Sequence, residues 1–248
     1  GLIELFLARR KPLLPAPVQL MSSLLFILFF WTAFAVFAGM PIPFLIGITL
    51  LAAGVWLYRL YHYRFDQMLV MLSDDGKPIG TMPKADVHHS DTPLHSGFSV
   101  FLFDDRGRTL MQRRAASKVT WPGVWSNSCC GHVMLHEDVT SAAKRRVKYE
   151  LGAAVAGLEI ALPDFRYRAE RDGIVENEIC PVLIGSLAGM PNPNPDEVGE
   201  VKWVEWAELV EMANDAESGL SPWAADEVRL LDAQPALLSK FLRPNDIL

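Results

Sequence analysis

From Pro12 to Tyr58 the chain has no Asp, Glu, Lys or Arg, and nearly all its charge lies further on. Residues 65–248 hold 18 Lys+Arg against 28 Asp+Glu, a net −10. One hydrophobic core seldom segregates charge so sharply, so the pattern predicts two parts, 1–64 and 65–248. In the first part Val18–Met40 is almost wholly apolar, and about 20 such residues span a bilayer as a helix. Pro41-Ile-Pro43 breaks the run, and a second one continues to Tyr61 with Arg59 reaching for the interface. Arg9, Arg10 and Lys11 precede the pair, Arg59 and Arg64 follow it, and the connection has no cation. The expectation is a two-helix transmembrane hairpin over 18–40 and 44–61. Both of its ends would be cytoplasmic, holding the second part at the cytoplasmic membrane.

The second part is long enough for one complete core. Its three cysteines, two of them adjacent, make no disulfide framework and suit a reducing compartment. The acidic balance excludes a general nucleic-acid surface. Strand signals run over 65–72, and two hairpins are expected. The first pairs Phe98–Phe103 with Thr109–Gln112, and the second pairs Phe165–Ala169 with Ile174–Ile184 across Asp172-Gly173. A helix is expected over Thr140–Leu151, with Thr140 as N-cap and Gly152 just past its end. A short strand (Val201–Trp206) and two helices (Ala207–Asn214, Trp223–Leu231) follow. Interleaved hairpins and helices make the class mixed α/β.

Two short segments carry the chemistry. Asn127-Ser-Cys-Cys-Gly-His132 puts a thiol two residues before an imidazole, and Ile174-Val-Glu-Asn-Glu-Ile179 puts two carboxylates two residues apart. In extended chain, residues two apart point the same way, so each segment presents a pair of reactive groups to one side. Between them, Gly131, Glu137, Arg145, Glu150 and Gly152 trace the outline of a Nudix box, a loop and helix whose acidic residues hold magnesium and diphosphate. Arg146 and Tyr149 stand where two of its glutamates belong. The scaffold is therefore expected without the water activation that pyrophosphate hydrolysis needs.

Lys84–His95, Arg113–Lys118, Trp121–Trp125, Asn127–His132, Tyr167, Glu176-Asn-Glu178 and Ser221-Pro-Trp223, in this order and spacing, resemble the type 1 isopentenyl-diphosphate isomerases over about residues 66–240. The resemblance implies a Nudix-like mixed sheet flanked by helices. It also implies interconversion of isopentenyl and dimethylallyl diphosphate through a tertiary carbocation. It assigns His88, His95, His132, Glu176 and Glu178 to one divalent metal, manganese or zinc by donor type, with magnesium possible. It makes Cys130 and Glu178 the acid and base, Tyr167 their helper, and Cys129 a filler. Lys84, Arg114 and Lys118 would hold the diphosphate, and Trp223 would offer its ring to the cation. Trp121 and Trp125 would help to exclude water. Glu150 would hold a second metal, magnesium carried on the diphosphate. A membrane anchor would extend the family pattern and place the enzyme near membrane-bound prenyl-using enzymes.

Overall fold

The computed structural model describes residues 38–39, 41–65 and 68–242. The chain divides into two compact units, Gly1–Asp66 and Gln67–Leu248.

In the first unit, helix α1 spans Ile42–Phe65. Residues 18–37 and 40, nearly all of the first expected span, lie outside the described residues. The second expected span falls within α1, but among the described residues no helix is long and apolar enough to cross a membrane. The cytoplasmic-membrane location is therefore corrected, and the second span of the expected hairpin is not found among the described residues. The physical reason is length. The charge-free part of α1 stops at Tyr58, before Arg59. At about 1.5 Å per residue it covers roughly 25 Å, against about 30 Å of hydrocarbon. The tether to membrane-bound enzymes falls with it.

The second unit begins with β1 (Met68–Leu72) and β2 (Pro78–Pro83), a hairpin, then one helical turn, α2 (Lys84–Val87). β3 (His95–Phe103) and β4 (Thr109–Arg114) form the next hairpin, followed by β5 (Trp125–Ser126) and β6 (Cys129–His132). Helix α3 covers Val139–Leu151. β7 (Ala154–Leu162), β8 (Arg166–Arg171), β9 (Ile174–Ile179), β10 (Val182–Ala188) and β11 (Val198–Val204) complete the strands. Helices α4 (Trp206–Asn214), α5 (Pro222–Asp232) and α6 (Pro235–Leu238) close the unit.

β3 is the axis of this sheet. It pairs antiparallel with β1, β4 and β6 and parallel with β9 and β10. Alternation along it supplies both cores. Phe98, Val100 and Leu102 pack under α3 with Ala142, Ala143, Val147 and Leu151. Phe101 and Phe103 pack on the other face with Trp206 and Leu209 of α4 and Trp223, Val228 and Leu231 of α5. Odd positions of β3 thus look toward α5, and His95, Gly97 and Ser99 belong to that face.

Three local expectations change. The strand expected from Phe65 starts at Met68, because α1 runs through Phe65. The N-cap of α3 is Asp138 rather than Thr140, its Oδ1 accepting from Ser141 N–H at 2.9 Å. The strand expected over 174–184 is two strands broken at Cys180-Pro181, since Pro has no N–H for a ladder. β9 stays with β8 while β10 turns to β7.

Candidate active site

His95 enters from β3, His132 from β6, Glu176 and Glu178 from β9, and His88 from the end of α2. Register brings them together: His95 pairs with Glu178 and Gly97 with His132. One ligand atom from each of the five lies within 4.8 Å of every other. His88 Nε2 is 3.1 Å from Glu176 Oε2, while His132 Nε2 and His95 Nε2 lie 3.0 and 3.5 Å from Glu178 Oε1. His95 Nδ1 faces the Pro93 carbonyl at 2.9 Å, which leaves the Nε2 lone pair for a ligand role. The Nε2 atoms of all three histidines and Glu176 Oε2 are buried without a hydrogen-bond partner. Such a set of inward, unsatisfied donors fits a divalent ion. Burial pushes the His132 pKa down to about 4, so it is neutral at pH 7. Burial works against a charged Glu178, but His132 and His95 outweigh it and keep the carboxyl well below the usual range. Neutral imidazole and ionised carboxylate are the metal-binding states.

Cys130 lies two residues before His132 on the same face of β6, opposite Ser99. Its thiol donates to Asn127 Oδ1 at 2.7 Å. The amide is fixed from its other end, where Asn127 Nδ2 donates to the carbonyls of Val100 and Cys129. Burial first, then Glu227, pushes the thiol up to about 12, against the opposing pull of Arg114. Cys130 is thus a neutral thiol at pH 7. Cys129 points to the opposite face, fully buried beneath α3.

An aromatic cap covers this face. Trp223, at the start of α5, lies 5.5 Å from the Tyr167 ring and 5.3 Å, edge on, from Trp121. Its Nε1 donates to Ser126 Oγ at 3.1 Å, and Ser126 donates to Asn127 Oδ1 at 2.7 Å, so cap and thiol share one network. Tyr167 pairs in register with Glu178, and its hydroxyl is held neutral by burial first and by Glu178 second. Trp125 is not part of this stack; the Lys202 ammonium covers it at 4.7 Å. Arg114 spends Nε and Nη2 on the Thr120 and Trp121 carbonyls, fixing the loop that carries Trp121.

A cavity of about 300 Å³ adjoins the metal cluster, with His132 common to both. Its other lining includes Lys84, Arg145, Arg146, Tyr149 and Glu197. Lys118 and Arg146 both pair with Glu197. Burial, then Arg146 and Lys118, pushes Lys84 down to about 8. Three cations, Lys84, Arg145 and Arg146, thus line one cavity with a single carboxylate, Glu197. Glu150 lies outside the metal cluster. Its oxygens accept from Arg146 Nε at 3.0 Å and Gln112 Nε2 at 3.2 Å.

Sequence reasoning missed four residues. Arg146 was read only as a lost glutamate, yet it lines the cavity beside His132. Asn127 and Glu227 carry no signal of their own beyond residue type. Gly97 had one: a glycine inside a strand of large side chains marks a close approach.

The fold places the chain in the Nudix class, and the family model described as NUDIX domain matches residues 93–225. A crystal structure of a Deinococcus radiodurans protein shares this fold, with TM-score 0.53 over 66% of this chain and 98% of that one, at 18% identity. Curated relatives narrow the class. Isopentenyl-diphosphate Delta-isomerase of Mycolicibacterium vanbaalenii is 52% identical over 170 residues, 67% of this chain and 92% of the relative. Those of Frankia alni and Clavibacter michiganensis are 51% and 48% identical, covering 72% and 66% of this chain and 92% and 86% of theirs. The chain belongs to the isopentenyl-diphosphate Delta-isomerase family.

Proposed function

We infer that this chain interconverts isopentenyl and dimethylallyl diphosphate, with Cys130 and Glu178 as its proton-transfer pair. One observation carries the reading. A neutral thiol opposite Ser99 on β6 and an ionised carboxylate opposite His95 on β9 flank β3 and look to one face. Moving a double bond by one carbon needs one such acid and one such base. In the forward direction a proton joins the terminal methylene and leaves a tertiary cation. Loss of a proton from the carbon next to the diphosphate-bearing carbon then gives the internal double bond, so one proton enters and one leaves.

Tyr167, beside Glu178, holds that carboxylate and helps to relay its proton. Trp223 offers a ring face to the cation, worth about 0.5–2 kcal/mol. Trp121 and Tyr167 complete a cap that keeps water from capturing the cation. Lys84, Lys118 and Arg146 grip the diphosphate, while Arg114 holds the loop of the cap. His88, His95, His132, Glu176 and Glu178 would hold one divalent metal. Three nitrogens and two oxygens favour manganese or zinc over magnesium. When bound, the metal supplies a fixed positive charge that orients the carboxylates and tunes their acidity.

The test is proton NMR of isopentenyl diphosphate in deuterated water. The expected result is dimethylallyl diphosphate carrying deuterium, lost in Cys130→Ala. Phosphate release without deuterium uptake would instead mark a hydrolase, against which Arg146 and Tyr149 already speak.

A further inference from the structure

Asn127 lies between β5 and β6 and is fully buried, as are Ser126 and Ser221. Its Nδ2 donates to the Val100 carbonyl at 3.1 Å and to the Cys129 carbonyl at 2.9 Å. An amide nitrogen has two protons, so both are spent. A flipped amide would set its oxygen against two carbonyls, which leaves one orientation. Oδ1 therefore faces Cys130 and Ser126, and it can only accept. The Cys130 thiol and the Ser126 hydroxyl each donate to it at 2.7 Å. The hydroxyls of Ser99 and Ser126 reach the same sulfur only at 3.8 Å.

The donors continue into the aromatic cap. An indole N–H can only donate, and Trp223 Nε1 gives its proton to Ser126 Oγ at 3.1 Å. Ser221 Oγ lies 3.1 Å from the same oxygen. With the Ser126 proton on Asn127, that contact is a donation from Ser221. Ser221 is the N-cap residue of α5, yet its side chain makes no cap hydrogen bond. A serine there ordinarily accepts from the first turn of its helix. This one turns its hydroxyl to the network instead.

We propose that Asn127 is a positioning residue for the isomerisation, which holds the Cys130 sulfur by its proton and, through Ser126, sets it in fixed relation to the Trp223 ring. This rests on the reading of Cys130 as a proton-transfer group and of Trp223 as the ring that faces the cation. A cysteine side chain turns about its Cα–Cβ bond, and a tryptophan ring turns about two bonds. Hydrogen bonds at Sγ and at Nε1 restrain both groups from one buried amide. Proton transfer needs its reacting atoms about 3–3.5 Å apart and in line. The carbon that exchanges a proton and the carbon that carries the charge are bonded neighbours. Sulfur and ring must therefore keep register to within about 1 Å, since a misplacement of that size can cost about 100-fold in rate.

The experiment measures kcat, KM, Tm and the Raman S–H stretching band for Asn127→Ala, Ser126→Ala and the double variant, beside Cys130→Ala, whose missing band assigns the thiol. Asn127→Ala lowers kcat by about 100-fold with KM within about twofold. Its Cys130 band moves to higher frequency, because the thiol has lost its acceptor. Its Tm falls too, since two main-chain carbonyls lose their donors. Ser126→Ala removes a single oxygen and lowers kcat by about tenfold with KM within about twofold. The band stays in place there, because the amide still accepts from the thiol. The double variant is no slower than Asn127→Ala, as Ser126 acts through the amide. Any of three results overturns the proposal: a normal kcat in Asn127→Ala, an unmoved S–H band in that variant, or losses that multiply in the double variant. Should Asn127→Ala not fold, Ser126→Ala decides, and a normal kcat there overturns the proposal as well. If Cys130→Ala is inactive and Asn127→Ala is normal, the positioning role alone fails. If Cys130→Ala turns over normally, the thiol reading fails and this inference goes with it.

Discussion

A methyl group on Gly97 would come within 2.5 Å of the Glu178 carboxyl carbon. The missing side chain of Gly97 is therefore the space that the Glu178 carboxylate occupies on its way to His132. Gly97→Ala should leave the sheet intact, because Gly97 has an ordinary strand conformation, but it should displace the carboxylate. The expected outcome is a fall of roughly 10–100-fold in affinity for manganese or zinc, seen by titration calorimetry, with most turnover lost. Metal binding at full affinity would refute the steric argument.

The two adjacent cysteines should separate cleanly. Cys130→Ala is expected to lower kcat by about 10³-fold or more with little change in Tm, because one proton-transfer partner is gone. Cys129→Ala opens a small cavity under α3 and should cost about 1–2 kcal/mol of stability with near-normal turnover. Rate assays and thermal melts on the same preparations check both.

Lys84 sets a pH dependence. Its pKa lies at about 8, and the charged form is the one that attracts diphosphate. As pH rises through that value the free enzyme loses this charge, so kcat/KM for isopentenyl diphosphate should decline above about pH 8. Below it the lysine is charged and its contribution is complete. Lys84→Arg, charged throughout, should flatten the alkaline limb. An identical limb in both proteins would assign the decline to another group.

Arg146→Glu restores a Nudix-box glutamate. In this structure it would put a third carboxylate beside Glu150 and Glu197 and remove a cation from the cavity. KM should rise roughly 10- to 100-fold, equal to about 1.4–2.8 kcal/mol of binding. No phosphate release should appear. Phosphate release by this variant would mean that the arginine is what suppresses hydrolysis.

Metal removal should abolish turnover and lower Tm, since an ion that binds only the folded state stabilises it by mass action. Chelation followed by addition of manganese, zinc or magnesium, read by both melting and NMR turnover, ranks the ions. His132→Ala should remove the Tm response. A chelated protein that melts unchanged would mean the five side chains bind no ion.

The letters of this chain determined a good deal by themselves. Alternation placed Cys130 with His132 and Glu176 with Glu178, and ordered motifs pointed to one family, because spacing of two in a strand is a local property. The family resemblance, rather than spacing, implied the set of five ligands, and the structure gathers those five side chains. Local signals failed where the second half of a charge-free run read as a membrane span, since apolar composition does not measure helix length. They also failed at Thr140, where a better acceptor lay two residues earlier.

The tertiary structure alone decided the rest. β3 brought strands from far along the chain to its two sides, and this put thiol and carboxylate on one face, opposite Ser99 and His95. Packing turned Arg146 from a missing glutamate into a cation lining the cavity beside His132, and engaged Glu150 with Arg146 and Gln112. It buried Glu227 completely, on the inward face of α5. These outcomes depend on which side chains meet across strands and helices, and no window of neighbouring residues contains that information.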